Sequence, residues 1–451
     1  MYLKNLLTIT GRSPETTSDL FVTYPPFKNK NEDFASQGSR CSITAFLLLS
    51  LLILPLAGCD SPAPVGSELE SDNENIITQV FDLDDVNLIE GNSYTGRLQN
   101  STVGFVDDPL YGTIRSVALL KPSISLNEVD SIGPDDNLRL KLVFNEEIYG
   151  DPAAVSTFEL FEVGELWRGN ELRYNDEVAV DFSSKIGEFQ VSADEDTVEV
   201  DLPESWKETY LEFYNASSSE RDSLYRNEFR GLAIVPSETN SKLHFLSHNP
   251  ELDDSDNPIP GTAVSMIVSS PEDTEEDEDE ELKIFTMRDW GFSFIREDAP
   301  EHPGHFVLHN GESVLRVNLS LSGEELESNN VVSAQLLFGV DSSAIENEGS
   351  FTRPEIEFLR SLVFTEEPPD LRAELFLNSA NFSGSFDEDA EIFRVEITEY
   401  ILNEIFGDRE QGSIYITLPE NGLLYTTQLY DQNGPENLKP RLVITSVKSD
   451  S

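Results

Sequence analysis

The side chains best suited to chemistry in this chain are few and clustered. Its five histidines fall into two groups, His244 with His248, and His302 with His305 and His309. Zinc accepts three imidazoles that converge on a turn or helix, and the spacing His302-x2-His305-x3-His309 is compatible with that. Pro300 and Pro303 oppose a regular helix there. His305-Phe306-Val307-Leu308-His309 instead alternates as a strand does, which puts His305 and His309 on one face. Asp253, Asp254, Ser255, Asp256 and Asn257 form an oxygen-rich turn before Pro258, and Asp387-Glu388-Asp389 form another after Gly384. Calcium takes such ligands, so Asp254, Asp256, Asp387 and Asp389 are the metal candidates and calcium is the one cofactor to consider. Neither stretch has the Gly and distal Glu of a complete calcium loop. Aromatic rings beside loops can stack on sugars. Trp290, within Asp289-Trp290-Gly291-Phe292, together with Trp167 and Tyr425, are the ligand-binding candidates, and Trp206 belongs to the same set. Large aromatics in β-sandwiches belong more often to the core.

No residue is nominated as catalytic. The chain has no Gly-x-Ser-x-Gly elbow, no His-Glu-x-x-His, no phosphate-binding glycine loop and no dinucleotide fingerprint. Among 85 acidic residues some carboxylate pair always lies at a separation workable for glycoside hydrolysis, so abundance removes that signal.

Those 85 acidic side chains face 30 basic ones over 451 residues, a formal net charge of −55. A field of this sign repels phosphate backbones, which sets nucleic acid aside as a partner. The hydrophobic fraction of 38% and the 27 phenylalanines suffice for buried cores. The charge therefore belongs to the surface of a folded protein rather than to a disordered chain. The length exceeds what one core usually supports.

One apolar run of sixteen residues, Ile43 to Gly58, follows Arg40 and carries no charge. It is short for a membrane span and fits the core of a signal peptide. It ends in Leu56-Ala57-Gly58-Cys59, the pattern of a bacterial lipobox, in which cleavage precedes the cysteine and that cysteine carries lipid, palmitate among its acyl chains. This places a signal peptide at 1–58, lipidation at Cys59 and a polar tether over 59–84. Forty residues before the apolar core is long for such a leader, so translation is expected to start downstream of Met1, near Lys28 and Lys30. Cleavage would leave Cys59 as the only thiol, which excludes disulfides, thiolate metal sites and cysteine nucleophiles. The expected address is the cell envelope, lipid-anchored, with the outer membrane favoured over the inner.

From about Phe81 the pattern is one of short alternating runs, with apolar residues on one face. The predicted class is all-β. Examples are Arg139–Phe144, Thr157–Val163, Thr197–Leu202, Arg394–Ile397 and Arg441–Ile444. Two helical exceptions, Glu204–Tyr214 and Glu399–Phe406, sit at matching places in two halves. In each half a strand leads to the helix. A strand ending in Pro follows, either Phe229–Pro236 or Gly412–Pro419, and then two more strands. Asn137–Phe144 and Asn330–Val340 correspond upstream. This predicts two tandem β-sandwiches at 85–270 and 282–451. Between them lies an acidic linker at 271–281, where nine of the ten residues from Glu272 to Glu281 are acidic.

The Leu-Ala-Gly-Cys lipobox, the paired halves and the stretch Phe229-Arg230-Gly231-Leu232-Ala233-Ile234 together resemble the envelope lipoproteins of Bacteroidota and their relatives. The closing Lys439-Pro440-Arg441-Leu442-Val443-Ile444 is similar to the final strand of DNRLRE-type jelly-roll modules of secreted proteins, some of them associated with carbohydrates. The resemblance implies tandem jelly rolls over roughly residues 105 to 447 and transfers no catalytic residue. The expected function is a lipid-anchored, non-enzymatic envelope module that binds a glycan or a protein partner. A structural or assembly role in the envelope stands second, and a secreted polysaccharide hydrolase third.

Salt screens mutual repulsion among surface carboxylates, so the folded protein should gain stability from it. The thermal unfolding midpoint is expected to rise between low salt and about 1 M NaCl, a concentration at which the Debye length is roughly 3 Å.

Overall fold

The computed structural model describes residues 76–125, 129, 131–270, 283–319, 330–342, 351–405 and 412–447. The leader 1–58, Cys59 and the acidic stretch 271–281 lie outside the described residues, as does Phe406.

The chain is all-β, and its strands form two runs. The first comprises β1 (Ile76–Asp82), β2 (Val86–Glu90), β3 (Asn100–Asp108), β4 (Gly112–Pro122), β5 (Asn137–Val143), β6 (Tyr149–Gly150), β7 (Ser156–Val163), β8 (Val180–Val191) and β9 (Thr197–Leu202). Helices α1 (Glu204–Tyr214) and α2 (Ser218–Asn227) follow, then β10 (Leu232–Pro236), β11 (Lys242–Ser247) and β12 (Ser265–Ser269). The second run comprises β13 (Lys283–Glu297), β14 (His305–His309), β15 (Ser313–Val317), β16 (Asn330–Gly339) and β17 (Phe358–Phe364), and then α3 (Leu371–Leu377). It ends with β18 (Phe382–Asp387), β19 (Ile392–Glu396), α4 (Thr398–Tyr400), β20 (Ser413–Thr417), β21 (Thr426–Tyr430) and β22 (Arg441–Val447).

The pairings repeat between the runs, all antiparallel. β4 with β10 recurs as β15 with β20, and β7 with β10 recurs as β17 with β20. β3 with β11 becomes β14 with β21. β5 lies between β9 and β12 as β16 lies between β19 and β22. The helix after β9 has its counterpart after β19, where α4 runs into a π turn at Ile401–Ile405. In α1 the buried face runs Trp206, Tyr210 and Tyr214, and the rings of Trp206 and Tyr210 stack 5.4 Å apart. Two of these phenols hold the facing loop, Tyr210 donating to the Ser123 carbonyl at 2.5 Å and Tyr214 to the Val129 carbonyl at 2.6 Å.

The opening strands of the two runs are exchanged. β13 opens the second run but pairs with β12 and β4 of the first. β1 and β2 open the first run but pair with β22 and β15 of the second. The division expected between 85–270 and 282–451 therefore does not follow the sheets. The segment 271–281 joins two strands that are neighbours in one hairpin rather than linking two separate bodies, and residues from Asp72 to Ser451 form one compact unit. The tether expected to reach Asp84 also stops short. Ile76-Ile77-Thr78-Gln79-Val80-Phe81 sits inside that polar stretch but alternates as a strand, with Ile77, Gln79 and Phe81 turned inward.

The cores explain why two independent sandwiches do not result. β11 is buried along most of its length, with Leu243 and Phe245 entering the core under the nine-stranded sheet and Leu246 entering the core beside α1. β3 behaves likewise, with Val106 in one core and Val103 in the other. Gly104 makes their close approach possible, because a Cβ there would stand 2.4 Å from the Lys242 carbonyl oxygen. β10 and β11 have both faces covered, unlike one-sided strands such as β5. Among the described residues no helix is long and apolar enough to cross a membrane.

Leu83 and Val86 are buried and Phe81 half-buried under the second-run sheet. Burial of such side chains contributes about 1.5–3 kcal/mol each, comparable in sum to the net stability of a domain. A chain beginning at Gly91 should therefore melt at a clearly lower temperature than one beginning at Asp72. A synthetic peptide spanning Ile76 to Glu90, added in trans, is expected to restore part of the difference in a thermal melt.

Candidate functional site

Trp167 and Tyr425 lie on connecting segments but are buried in the core rather than displayed. Trp167 is 6% exposed, donates its Nε1–H to the Arg230 carbonyl at 2.8 Å and lies under the Lys121 ammonium, 4.8 Å away. Tyr425 is 8% exposed and belongs to the core under the nine-stranded sheet. Trp290 is half-buried on β13, donates to the Leu98 carbonyl at 2.7 Å and stacks on His248 at 4.8 Å. The structure corrects the reading of these residues as exposed sugar platforms and does not bring them together. For Trp290 the reason is local: Asp289-Trp290-Gly291-Phe292, which looked like a loop, lies within the longest strand among the described residues. Trp206 is likewise in the core beside α1.

The histidines separate. His302 receives a hydrogen bond from Gln428 on Nδ1 at 2.8 Å and donates from Nε2 to the Leu110 carbonyl. His305 pairs with Asp341 at 2.9 Å, whereas His309 is fully buried against Tyr174 and Phe294. The spacing compatible with zinc is undone because His305 and His309 lie at opposite ends of β14. His244 and His248 each share a hydrogen with a serine, Ser156 and Ser101 respectively, both at 2.9 Å. Burial lowers both histidines to about 3, with Lys242 adding to the effect at His244. Each therefore stays a neutral imidazole.

Of the calcium candidates, Asp254 and Asp256 are exposed on a turn closed by Asp253, whose carboxylate accepts the Ser255 and Asn257 backbone N–H groups. Asp387 is engaged by Arg394 at 2.8 Å, and Asp389 is exposed on the same turn. Among the described residues no group of three or more His, Cys, Asp or Glu is placed to hold a metal ion.

What the fold does assemble is buried charge. Asp108 accepts the Tyr149 phenol at 2.5 Å and pairs with Arg353 at 2.9 Å, with both ion-pair side chains buried. Burial beside that carboxylate pushes the Tyr149 phenol well up. Arg372 and Glu420, 3.3 Å apart, are 3% and 2% exposed, and Ser93 donates to the free oxygen of Glu420. Glu312, paired with Arg296 at 2.8 Å, is raised by burial. Lys121, lowered to about 8 by burial against the partial opposition of Asp289, donates to the Trp167 carbonyl at 2.7 Å. None of these arginines was singled out from the sequence. One signal was present: in Pro368-Pro369-Asp370-Leu371-Arg372 an aspartate follows two prolines, and Asp370 indeed caps α3 by accepting the Ala373 N–H at 3.0 Å.

The surface offers one open edge beside an apolar patch. β1 ends the nine-stranded sheet, and among the described residues no strand pairs with its outer side. Ile76 and Val80 on β1 are each 54% exposed. Val447 pairs with Ile76 across β22, and Val332, in the bulge of β16, is 59% exposed next to it. From Ile76 to Phe81 the strand carries no charge, no proline and no lysine, the usual protections of an edge.

No family model matches the chain, and no curated protein matches it. Among solved structures it is similar to one titled as the Macrobrachium rosenbergii nodavirus, at 9% identity over 92% of this chain and 96% of that chain, with a TM-score of 0.14. It is also similar to PBCV-1 Vp54 fitted into a reconstruction of the virophage Sputnik, at 10% identity over 82% of this chain and 94% of that one, with a TM-score of 0.08. Likenesses this loose carry no argument about fold or function.

The buried histidines make stability depend on pH. The folded values of His244 and His248 lie near 3 against an ordinary 6.5, so below 6.5 the unfolded chain binds protons that the folded chain refuses. Stability is complete above that value and is lost as pH falls toward 3, at about 1.4 kcal/mol per pH unit for each histidine. His248→Gln keeps a polar partner for Ser101 and removes one titration. Urea unfolding at pH 7 and pH 5 should show the variant losing about 2 kcal/mol less than the parent.

Proposed function

We propose that this is a lipid-anchored protein of the bacterial cell envelope, favouring the outer membrane, that binds a protein partner and catalyses no reaction. The observation that carries the reading is the open edge of β1, uncharged from Ile76 to Phe81, which follows the tether directly. An extended segment of another envelope protein adds to such an edge as one more strand, with backbone hydrogen bonds supplying affinity and Ile76, Val80, Val332 and Val447 receiving its apolar side chains. The net charge selects the partner's chemistry. At −55 a second copy is repelled, and a neutral or cationic segment is favoured. The absence of exposed aromatic stacking among Trp167, Trp290 and Tyr425 leaves the glycan reading without the platform it was expected to use. Calcium has no part in this reading.

A photoreactive residue at Thr78 in the full chain, expressed in a bacterial envelope, should yield one discrete adduct. Val80→Lys should abolish it by placing a cation on the edge without touching the buried face. An adduct that persists in Val80→Lys, or none in either chain, would sink the edge-docking reading. Separately, Cys59→Ala should release the protein from the membrane fraction and remove incorporation of labelled palmitate. Unchanged fractionation would refute the anchor.

A further inference from the structure

Arg372 is buried in an arrangement that satisfies only part of it. Its Nη1 reaches Glu420 at 3.3 Å and Thr417 at 3.4 Å, both long for charge-assisted hydrogen bonds. Nε and Nη2 are buried and have no hydrogen-bond partner. These two nitrogens form one side of the guanidinium, where two parallel N–H bonds match the two oxygens of a carboxylate. Buried donors left unmatched are costly, so an occupant for this fork is favoured. Gly91 borders it. A Cβ at that position would stand 2.7 Å from both Nε and Cγ of Arg372, so only glycine fits against this guanidinium without displacing it.

Arg372 also lines a cleft of about 230 Å3 between the end of β2 and the start of α3, with Glu90, Arg173, Glu367, Pro369 and Asp370 around it. The volume suits a ligand of amino-acid or single-sugar size. Arg173 holds Asp370 at 2.5 Å and Arg316 holds Glu367 at 3.2 Å, so two of the three rim carboxylates are neutralised. Glu90 is exposed and, among the described residues, has no ion-pair partner. In a chain where acids outnumber bases by 85 to 30, a cleft lined by Arg173 and Arg372, with Arg316 paired to its Glu367, makes a place where an anion is repelled less.

We propose that this cleft binds a small carboxylate ligand that carries ammonium or hydroxyl donors next to its carboxylate. The carboxylate sits on the Nε/Nη2 edge of Arg372, and the donors face Glu90. The inference is independent of the β1 edge, which lies at the opposite end of the same sheet from β2.

The test uses the full chain in thermal melts and calorimetry at ionic strength matched with NaCl, since salt alone is expected to stabilise this protein. One arm holds glycine, L-alanine and D-alanine, the other glucuronate and galacturonate, and glucose serves as the control without a carboxylate. Saturable stabilisation by one arm and none by glucose is expected, and the arm that responds identifies the source of the carboxylate. Arg372→Lys keeps a cation opposite Glu420 but removes the fork, and should weaken binding at least tenfold. Glu90→Gln, at an exposed position, should weaken it several-fold even if the lysine variant does not fold. If no carboxylate stabilises beyond NaCl, or if Arg372→Lys folds and binds as tightly as the parent, or if Glu90→Gln leaves affinity unchanged, the proposal is overturned.

Discussion

The architecture depends on a reciprocal loan of strands. Each run of the chain begins with a strand that completes the sheet of the other. β13 is held between β12 and β4, and the β1–β2 segment lies along β22 and β15. Neither sandwich can be closed from its own run alone. The last strand, β22, would be a bare edge without β1, and the pairing from Ile76 with Val447 to Asp82 with Arg441 ties the beginning of the folded region to its end. Lys439 fastens that far end by pairing with Asp82 at 2.6 Å. A contact so distant in sequence forms late, because loop closure must be met before the pairing returns anything.

The same exchange accounts for the buried charge. Once β3 and β11 serve as a wall between two cores, polar residues on them lose their access to water and must be matched inside. Asp108 at the end of β3 is met by Tyr149 and Arg353, and His244 on β11 is met by Ser156 among Phe144 and Phe158. Replacing one member of such a group strands the other, which is costly out of proportion to the pair's net worth. These groups act as registration marks: β3 and β11 carry side chains to both faces, and a slip by one residue would send Lys242 or His244 into the wrong core.

Much of this was legible in the sequence. The order of strands and the helix Glu204–Tyr214 follow from local alternation and from the spacing of Trp206 and Tyr210, which depend only on near neighbours. The repeated order of strands was legible too, although its division into two separate sandwiches does not follow the sheets. Which strand completes which sheet was not, because periodicity states that Ile77, Gln79 and Phe81 share a face but not what that face will meet. The acidic stretch after β12 misled for a related reason. Charge repulsion predicts an extended connection equally well inside a hairpin and between domains. The aromatic candidates failed because exposure is a property of the whole fold: Trp290 has loop-like neighbours, yet the bulge at Arg288 keeps β13 running on to pair with β4. Arg372 escaped notice because its importance lies in what surrounds it, and Gly91 and Glu420 are far from it in sequence.

The distribution of charge connects this architecture to its surface chemistry. A chain with so large an acid excess repels nearly everything anionic, including itself, so contacts can form only where the excess is locally cancelled or absent. β1 and the cleft beside α3 are examples of the two kinds. From Ile76 to Phe81 charge is absent, because the part of β1 that lies flat on β22 is built from Ile, Thr, Gln, Val and Phe, whose β-propensity serves the closure first, and the one charge of the strand, Asp82, is paired with Lys439. At the cleft beside α3 charge is cancelled, because Arg173 and Arg316 are committed to the loop that leads into the helix. The two places terminate opposite ends of one sheet, and both were created by lending the opening strand to the second run: β1 leaves its outer side open, and β2 ends at Gly91, against the guanidinium of Arg372. The strands that close the fold therefore also form the two surfaces proposed above, so a change made to stabilise β1 or β2 also changes those surfaces.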